Sequence, residues 1–71
     1  MTHYRKRERW QLTRTELKAM EHVRKGLPAK AIAHRMHITV RGVKHHLTNI
    51  YRKFGVTNRV ELHKVVGFHG Q

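Results

Sequence analysis

Apolar residues recur along this chain at spacings of three and four residues, the period of an amphipathic α-helix. The most regular series is Val40, Val43, Leu47, Ile50 and Phe54. No stretch alternates apolar and polar residues for long enough to indicate a strand, and no Asn-Gly hairpin signal occurs. The pattern therefore predicts an all-α fold, a compact bundle of four short helices joined by short turns.

Residues that start and stop helices divide this pattern into segments. Thr13 and Glu16 have the spacing of a capping box, in which each side chain bonds the backbone N–H of the other residue. The other predicted starts are Pro28 as a first helical residue, Thr39, and a box-like pair of Asn58 with Glu61. The predicted left-handed stops are Gly26 and Gly55. The predicted helices span residues 14–25, 29–36, 40–54 and 59–66.

The first and last helices carry less regular apolar stripes. Leu17, Met20 and Val23 are the expected core face of the first helix, with Leu12 packing onto Leu17 as a hydrophobic staple. The fourth helix offers apolar residues that are expected to divide between the core and a two-fold dimer seam, a division that the sequence leaves open. These residues are Val60, Leu62, Val65 and Val66.

Charge narrows the choice of partner. The 71 residues, enough for one small domain, include 16 Lys and Arg against 4 Asp and Glu, a formal net charge of +12. Such an excess attracts polyanions, of which nucleic acid, an anionic membrane face and acidic proteins are the main classes. The first ten residues are basic and without an apolar period. Residues 1–11 are therefore predicted to be a basic flexible N-terminal arm, residues 12–67 the folded domain, and residues 68–71 a loose tail.

The composition disfavours enzymes and metal proteins. The absence of Cys excludes a disulfide framework, a zinc ribbon and a thiol nucleophile. No Ser-His-Asp set, carboxylate pair or phosphate-cradling Gly loop is visible. The His pairs, His34 with His37 and His45 with His46, have no third clustered ligand. We expect no enzyme, metal or cofactor, and no apolar run is long enough for a membrane span.

The third predicted helix points most directly to a function. With its apolar series in the core, its outer face presents Arg41, Lys44, His45, Thr48 and Arg52, and residues 39–54 contain no Asp or Glu. Lys and Arg can neutralise phosphates or bond guanine, and Thr can meet a thymine methyl group. A short helix and a tight turn at residues 37–39 precede it, which is the arrangement of a helix-turn-helix. A generic basic helix of an RNA-binding or ribosomal domain is the alternative.

Residues 12–66 also resemble the LuxR-type (GerE-type) helix-turn-helix of bacterial transcription regulators. The most specific signal is the run Val43-Lys44-x-His46-x-x-Asn49-Ile50, followed by Gly55-Val56 and Arg59. The other matching positions are Leu12-Thr13, Glu16-Leu17, Gly26-Leu27, Lys30, Ile32-Ala33, Ile38-Thr39, Lys53 and Glu61. The resemblance implies a recognition third helix, dimers formed through the fourth helix, and binding at short repeats near promoters.

The resemblance also implies roles for individual residues. The base-facing residues would be Lys44, His45 and Thr48. The residues that hold the DNA backbone would be Lys30, Thr39, Arg41, His46, Asn49 and Arg52. His46 has an alternative role as a partly buried histidine bonded to a carbonyl, and each cation as an idle surface charge.

Several positions depart from the family pattern. The usual hydroxyl cap of the second helix is absent at Pro28-Ala29, which costs about 1 kcal/mol. His37 replaces the usual turn Gly and is expected in a left-handed conformation, while Gly42 replaces a usual Thr. The remaining departures are Thr15 in place of a usual Arg, and Lys18 and Ala31 in place of usual Glu residues, of which the last two raise the positive charge further.

The sequence thus predicts a sequence-specific, dimeric, double-stranded DNA-binding transcription regulator of the bacterial cytoplasm, associated with the nucleoid. It would stand alone or form the C-terminal part of a longer regulator, with RNA polymerase or another regulator as a further partner. The first rival is a nonspecific DNA- or RNA-binding module. The second is a membrane-active basic peptide, which would become helical only on anionic vesicles.

Overall fold

The computed structural model describes residues 11–67, which form four α-helices and no strand. The helices are α1 (Arg14–Arg24), α2 (Ala29–Met36), α3 (Val40–Phe54) and α4 (Arg59–Val66). The all-α prediction is confirmed, and α1 ends one residue earlier than predicted because Lys25 is its C-cap. The predicted arm lies outside the described residues except for Gln11, and the tail lies outside them entirely.

The core is built around α3. Four of its residues are buried, namely Val43, Leu47, Ile50 and Phe54, as the helical spacing predicted. The other helices pack against α3 and contribute Ala19, Val23, Ile32, Ala33 and Leu62. Burying a large apolar side chain contributes about 1.5–3 kcal/mol, so this cluster fixes the orientation of α3 and leaves its opposite face in solvent.

The core face of α1 differs from the prediction. Leu17 was expected in the core, but its side chain is 55% exposed. Glu16 is buried instead, at 4% exposure, because its carboxylate bonds groups inside the fold. Leu12 and Leu17 do line one shallow depression, together with Met20, so the two predicted staple residues lie on the same surface.

The turn between α2 and α3 has the predicted local chemistry. His37 ends α2 in the left-handed region with φ 59°, which a non-glycine residue adopts at some cost. The Thr39 hydroxyl then accepts a hydrogen bond from the Gly42 N–H at 2.9 Å and caps α3. Val40, the first residue of the predicted stripe, is 37% exposed because it lies in this first turn, outside the core.

The two remaining helix starts differ from each other. Pro28 is the N-cap of α2 and not, as predicted, its first helical residue, and it provides no side-chain hydrogen bond. Asn58 does cap α4 by accepting from the Glu61 N–H at 2.9 Å. The Glu61 carboxylate bonds the N–H and hydroxyl of Thr57 instead of the Asn58 N–H, so the predicted box forms only in one direction.

Candidate nucleic-acid interface

The outer face of α3 collects most of the predicted DNA-binding residues. Its exposed residues are Arg41, Lys44, His45, Thr48 and Arg52. His46 and Asn49 lie at one edge of this face and are half-buried. No acidic residue occurs in α3, so the face carries only cationic and neutral polar groups. Lys30 and Thr39 are also exposed, on α2 and at the N-cap of α3, respectively.

Thr48 presents its methyl group rather than a hydroxyl proton. Its hydroxyl donates to the Lys44 carbonyl oxygen at 2.9 Å, one turn earlier in α3. The proton is therefore used within the helix, and an approaching molecule meets the methyl group and the remaining oxygen lone pair. This arrangement suits contact with a thymine methyl group or a base amino group.

Several side chains of this face contact one another. The Asn49 amide lies 3.4 Å from His45 Nε2, and its oxygen accepts a long hydrogen bond of 3.5 Å from Arg52. The His45 and His46 rings meet edge to face at a centroid distance of 5.8 Å. These contacts are exposed and weak, so they order the side chains while leaving their donors available to a ligand.

One flank of α3 is joined to α1 by an ion pair. Lys53 Nζ lies 2.6 Å from Glu16 Oε1 and 3.2 Å from the Gln11 carbonyl oxygen. The same carboxylate oxygen accepts from the Thr13 N–H at 3.0 Å, which completes the predicted capping box. Burial alone would raise the pKa of Glu16, but the bonds from Lys53 and Thr13 outweigh it and lower the pKa below 4.5.

Arg59, the first residue of α4, borders the opposite flank of α3. Its side chain lines a depression of about 380 Å³ together with Ala29, Lys44, Leu47, Thr48 and Tyr51. Its Nε and Nη2 atoms are buried and have no hydrogen-bond partner among residues 11–67. The sequence had matched Arg59 to the family pattern without giving it a role. The lack of partners for these two nitrogens depends on how the helices pack, which the sequence does not show.

The structure divides the predicted dimer residues of α4 between core and surface. Leu62 is fully buried, and Val66 packs partly against the core. Val60 and Val65 are 65% and 48% exposed, respectively. Val60 also lines an open depression of about 540 Å³ with Arg59, His63 and Lys64. Leu62 is therefore a core residue, and the dimer prediction depends on the exposed valines.

The described part of the chain lacks two features that other kinds of function would require. Residues 11–67 contain no group of three or more His, Cys, Asp or Glu that could hold a metal ion. In the same residues no helix has both the length and the apolar character that crossing a bilayer requires.

Comparison with known proteins identifies relatives. Residues 10–66 match the GerE family, described as bacterial regulatory proteins of the luxR family. The transcriptional regulatory protein YdfI of Bacillus subtilis is 40% identical over 57 residues, which are 80% of this chain and 27% of YdfI. A putative HTH-type transcriptional regulator of Mycobacterium tuberculosis is 43% identical over 51 residues, 72% of this chain and 6% of that protein. No solved structure matches.

Proposed function

The chain belongs to the LuxR family of bacterial regulatory proteins, and we propose that it is a sequence-specific transcription regulator that binds double-stranded DNA. It spans about a quarter of YdfI and a smaller share of the mycobacterial relative. The proposal therefore concerns the DNA-binding step. That step would take place in the bacterial cytoplasm, on the nucleoid.

The outer face of α3 carries the proposal. The helix is anchored by four buried residues on one side, and its other side is cationic and without acids. An α-helix matches the width of the major groove of B-DNA, where each base pair presents a distinct pattern of donors and acceptors. Because no acidic residue of α3 neutralises its cations, this face is suited to binding an anionic duplex.

Base reading is assigned to exposed side chains near the centre of this face. The proposed base-facing residues are Lys44, His45 and Thr48. The proposed backbone contacts are Lys30, Thr39, Arg41, His46, Asn49 and Arg52. The Thr39 hydroxyl oxygen accepts the cap bond from Gly42 and keeps its own proton, so it can still donate to a phosphate.

A dimer formed through α4 completes the proposal. Val60 and Val65 are apolar, exposed and on the helix least covered by the rest of the fold. A two-fold interface brings the same surface of both copies together, so a negative charge introduced into one copy lies close to the same charge in the other. Val60→Glu should therefore leave a folded monomer, measured by sedimentation, that has lost the preference of the dimer for a repeat over a single half-site.

The test of the proposal is selection of bound duplexes from a random pool, followed by affinity measurements on the selected site. The wild-type protein should prefer that site over random duplex by about 10³-fold or more. Lys44→Ala and Thr48→Ala should each weaken specific binding by about 1–3 kcal/mol with unchanged thermal unfolding. Lys18→Ala, on the exposed surface of α1, is the matched control.

The outcome separates this function from its rival. Equal affinity for the selected site, random DNA and RNA would identify a nonspecific nucleic-acid binder. Salt adds a second readout, because each phosphate contact releases counterions and steepens the salt dependence of affinity. With about six to eight contacts per dimer, the log–log slope should lie near −5 to −7.

A further inference from the structure

Arg59 is in an unusual position for a cation. It opens α4, and its side chain is half-buried where α4 meets α3 and the start of α2. Nε and Nη2 are both buried without a hydrogen-bond partner among the described residues. A buried donor that makes no bond costs about 1–3 kcal/mol, and a charged one costs more. The folded protein therefore keeps a group that is stabilised poorly by its own chain.

No acid of the described chain is placed to neutralise Arg59. Glu61, two residues later, has its carboxylate on the N–H and hydroxyl of Thr57 at 2.9 and 3.1 Å. Glu16 is held by Lys53 on the opposite flank of α3. Glu21 pairs with Arg24 on the surface of α1. Arg59 therefore has no carboxylate partner among residues 11–67.

The depression beside Arg59 has the character of an anion site. Among the described residues, its charged lining residues are Lys44 and Arg59, and none of the acidic residues lines it. Ala29 begins α2, whose N-cap provides no side-chain hydrogen bond, so the partial positive charge of that helix end adds to the two cations. The volume, about 380 Å³, is enough for a phosphate group.

The two unpaired atoms form one edge of the guanidinium. Nε–H and Nη2–H point in parallel, which is the fork that matches two oxygens of a phosphate. Thr48, which also lines the depression, is one of the proposed base-facing residues of α3. A ligand in the depression would therefore lie directly beside the DNA groove that α3 occupies under the proposed function.

We propose that Arg59 and the depression that it lines bind one backbone phosphate of the DNA, beside the groove read by α3. This inference rests on the proposed function and adds a binding residue to it. Both atoms are covered in the free protein, so entry requires a side chain to move. Lys44 lines the same depression and is exposed, so an approaching duplex would attract it as well as Arg59.

The experiment combines Arg59→Gln with neutral phosphates in the DNA. The matched control is Arg35→Gln, an exposed arginine of α2. Arg59→Gln should weaken binding to the selected site and to random duplex by the same factor, about 5- to 30-fold, because a phosphate contact carries no sequence information. The salt slope should fall by about 1 for each copy that loses its contact. Arg59→Lys keeps the charge but not the fork and should recover only part of the affinity.

A scan with single methylphosphonate groups then locates the contact. At one backbone position the neutral group should weaken the wild-type protein and leave Arg59→Gln unaffected, whereas Arg35→Gln should respond like the wild type. Inorganic phosphate at millimolar concentration distinguishes a DNA phosphate from a free anion. It should not shift the Arg59 side-chain resonances of the DNA-free protein, and saturable shifts would show a site for a small anion instead.

The outcomes of the two proposals are separable. If Lys44→Ala and Thr48→Ala lower specific binding while Arg59→Gln behaves like Arg35→Gln, the DNA-binding function stands and the phosphate site is refuted. Loss of preference for the selected site in Arg59→Gln would refute it as well. Circular dichroism checks that the variants fold. If Arg59→Gln unfolds, the methylphosphonate scan is repeated with Arg59→Lys. A position-specific effect of wild-type size in Arg59→Lys would refute the two-oxygen contact proposed for the guanidinium.

Discussion

The cations on the two flanks of α3 differ in whether the protein itself provides them with a hydrogen-bond partner. On the α1 flank, Lys53 lies 2.6 Å from a buried carboxylate and also bonds the Gln11 carbonyl oxygen. On the other flank, Arg59 has two buried nitrogens without a partner in the described chain. Both residues are half-buried cations, Lys53 on α3 itself and Arg59 at the start of α4 beside it. Lys53 stabilises the fold, and Arg59 is the residue that we propose binds a DNA phosphate.

This difference separates stability from binding along a single helix. An ion pair that is satisfied internally contributes to folding and offers little to DNA, because its donors are already engaged. An unpaired cation costs stability in the free protein and is able to gain more when an anion arrives. We therefore expect substitutions on the α1 flank to change unfolding and substitutions on the Arg59 flank to change DNA affinity.

Lys53→Ala should have the largest effect on stability. It leaves the Glu16 carboxylate buried with only its Thr13 bonds, so the free energy of unfolding should fall by about 1–3 kcal/mol. Urea denaturation measures this, with Lys18→Ala as the exposed control. DNA affinity of the folded protein should stay near wild type. An unchanged unfolding midpoint would mean that the ion pair does not hold α1 to α3.

Lowering the pH should destabilise the fold through the same ion pair, by a smaller amount than Lys53→Ala does. The pKa of Glu16 is lowered, since the bonds from Lys53 and Thr13 outweigh the opposing effect of burial. The charged carboxylate therefore stabilises the fold fully above its ordinary pKa of 4.5, and this stabilisation is lost as the pH falls through the lower folded value. Thermal unfolding between pH 7 and pH 3 should show it.

Glu16→Gln is the variant that isolates this titration. Its melting temperature should depend less on pH than that of the wild type over the acidic range. Part of the dependence should remain, because the pKa of Glu61 is also lowered, chiefly by its bond from the Thr57 N–H. Identical pH profiles for the two proteins would show that Glu16 does not control acid stability.

Arg59→Met should have the smallest effect on the free protein. Replacing a poorly satisfied buried charge by an apolar side chain of similar length is often neutral or stabilising, so the unfolding free energy should stay within about 0.5 kcal/mol or rise. The same denaturation series measures it beside Lys53→Ala. A loss as large as that of Lys53→Ala would contradict the contrast between the flanks.

Local chemistry made much of the fold predictable. The bounds of α3 and α4 were predicted correctly, because Thr39, Gly55 and Asn58 act on neighbouring backbone groups only. His37 adopts the left-handed conformation that was predicted for it, because the family usually has a glycine at this position. Pro28 was misplaced by one residue, since a proline suits both the N-cap and the first helical position.

Features that depend on distant residues were not predictable in this way. Periodicity placed Leu17 in the core and gave no sign that Glu16 is buried, because the partner of Glu16 is Lys53, far along the chain. The unpaired edge of Arg59 likewise depends on how α2, α3 and α4 meet. The outer face of α3 was predictable because it follows directly from the buried series of the same helix.

The account depends most on the claim that the outer face of α3 lies against DNA. Amide and side-chain NMR shifts of the protein, recorded during titration with the selected duplex, test this residue by residue. The largest shifts should fall on Arg41, Lys44, His45, Thr48 and Arg52. Shifts concentrated on the exposed side of α1 around Leu17, with the outer face of α3 unchanged, would contradict the claim.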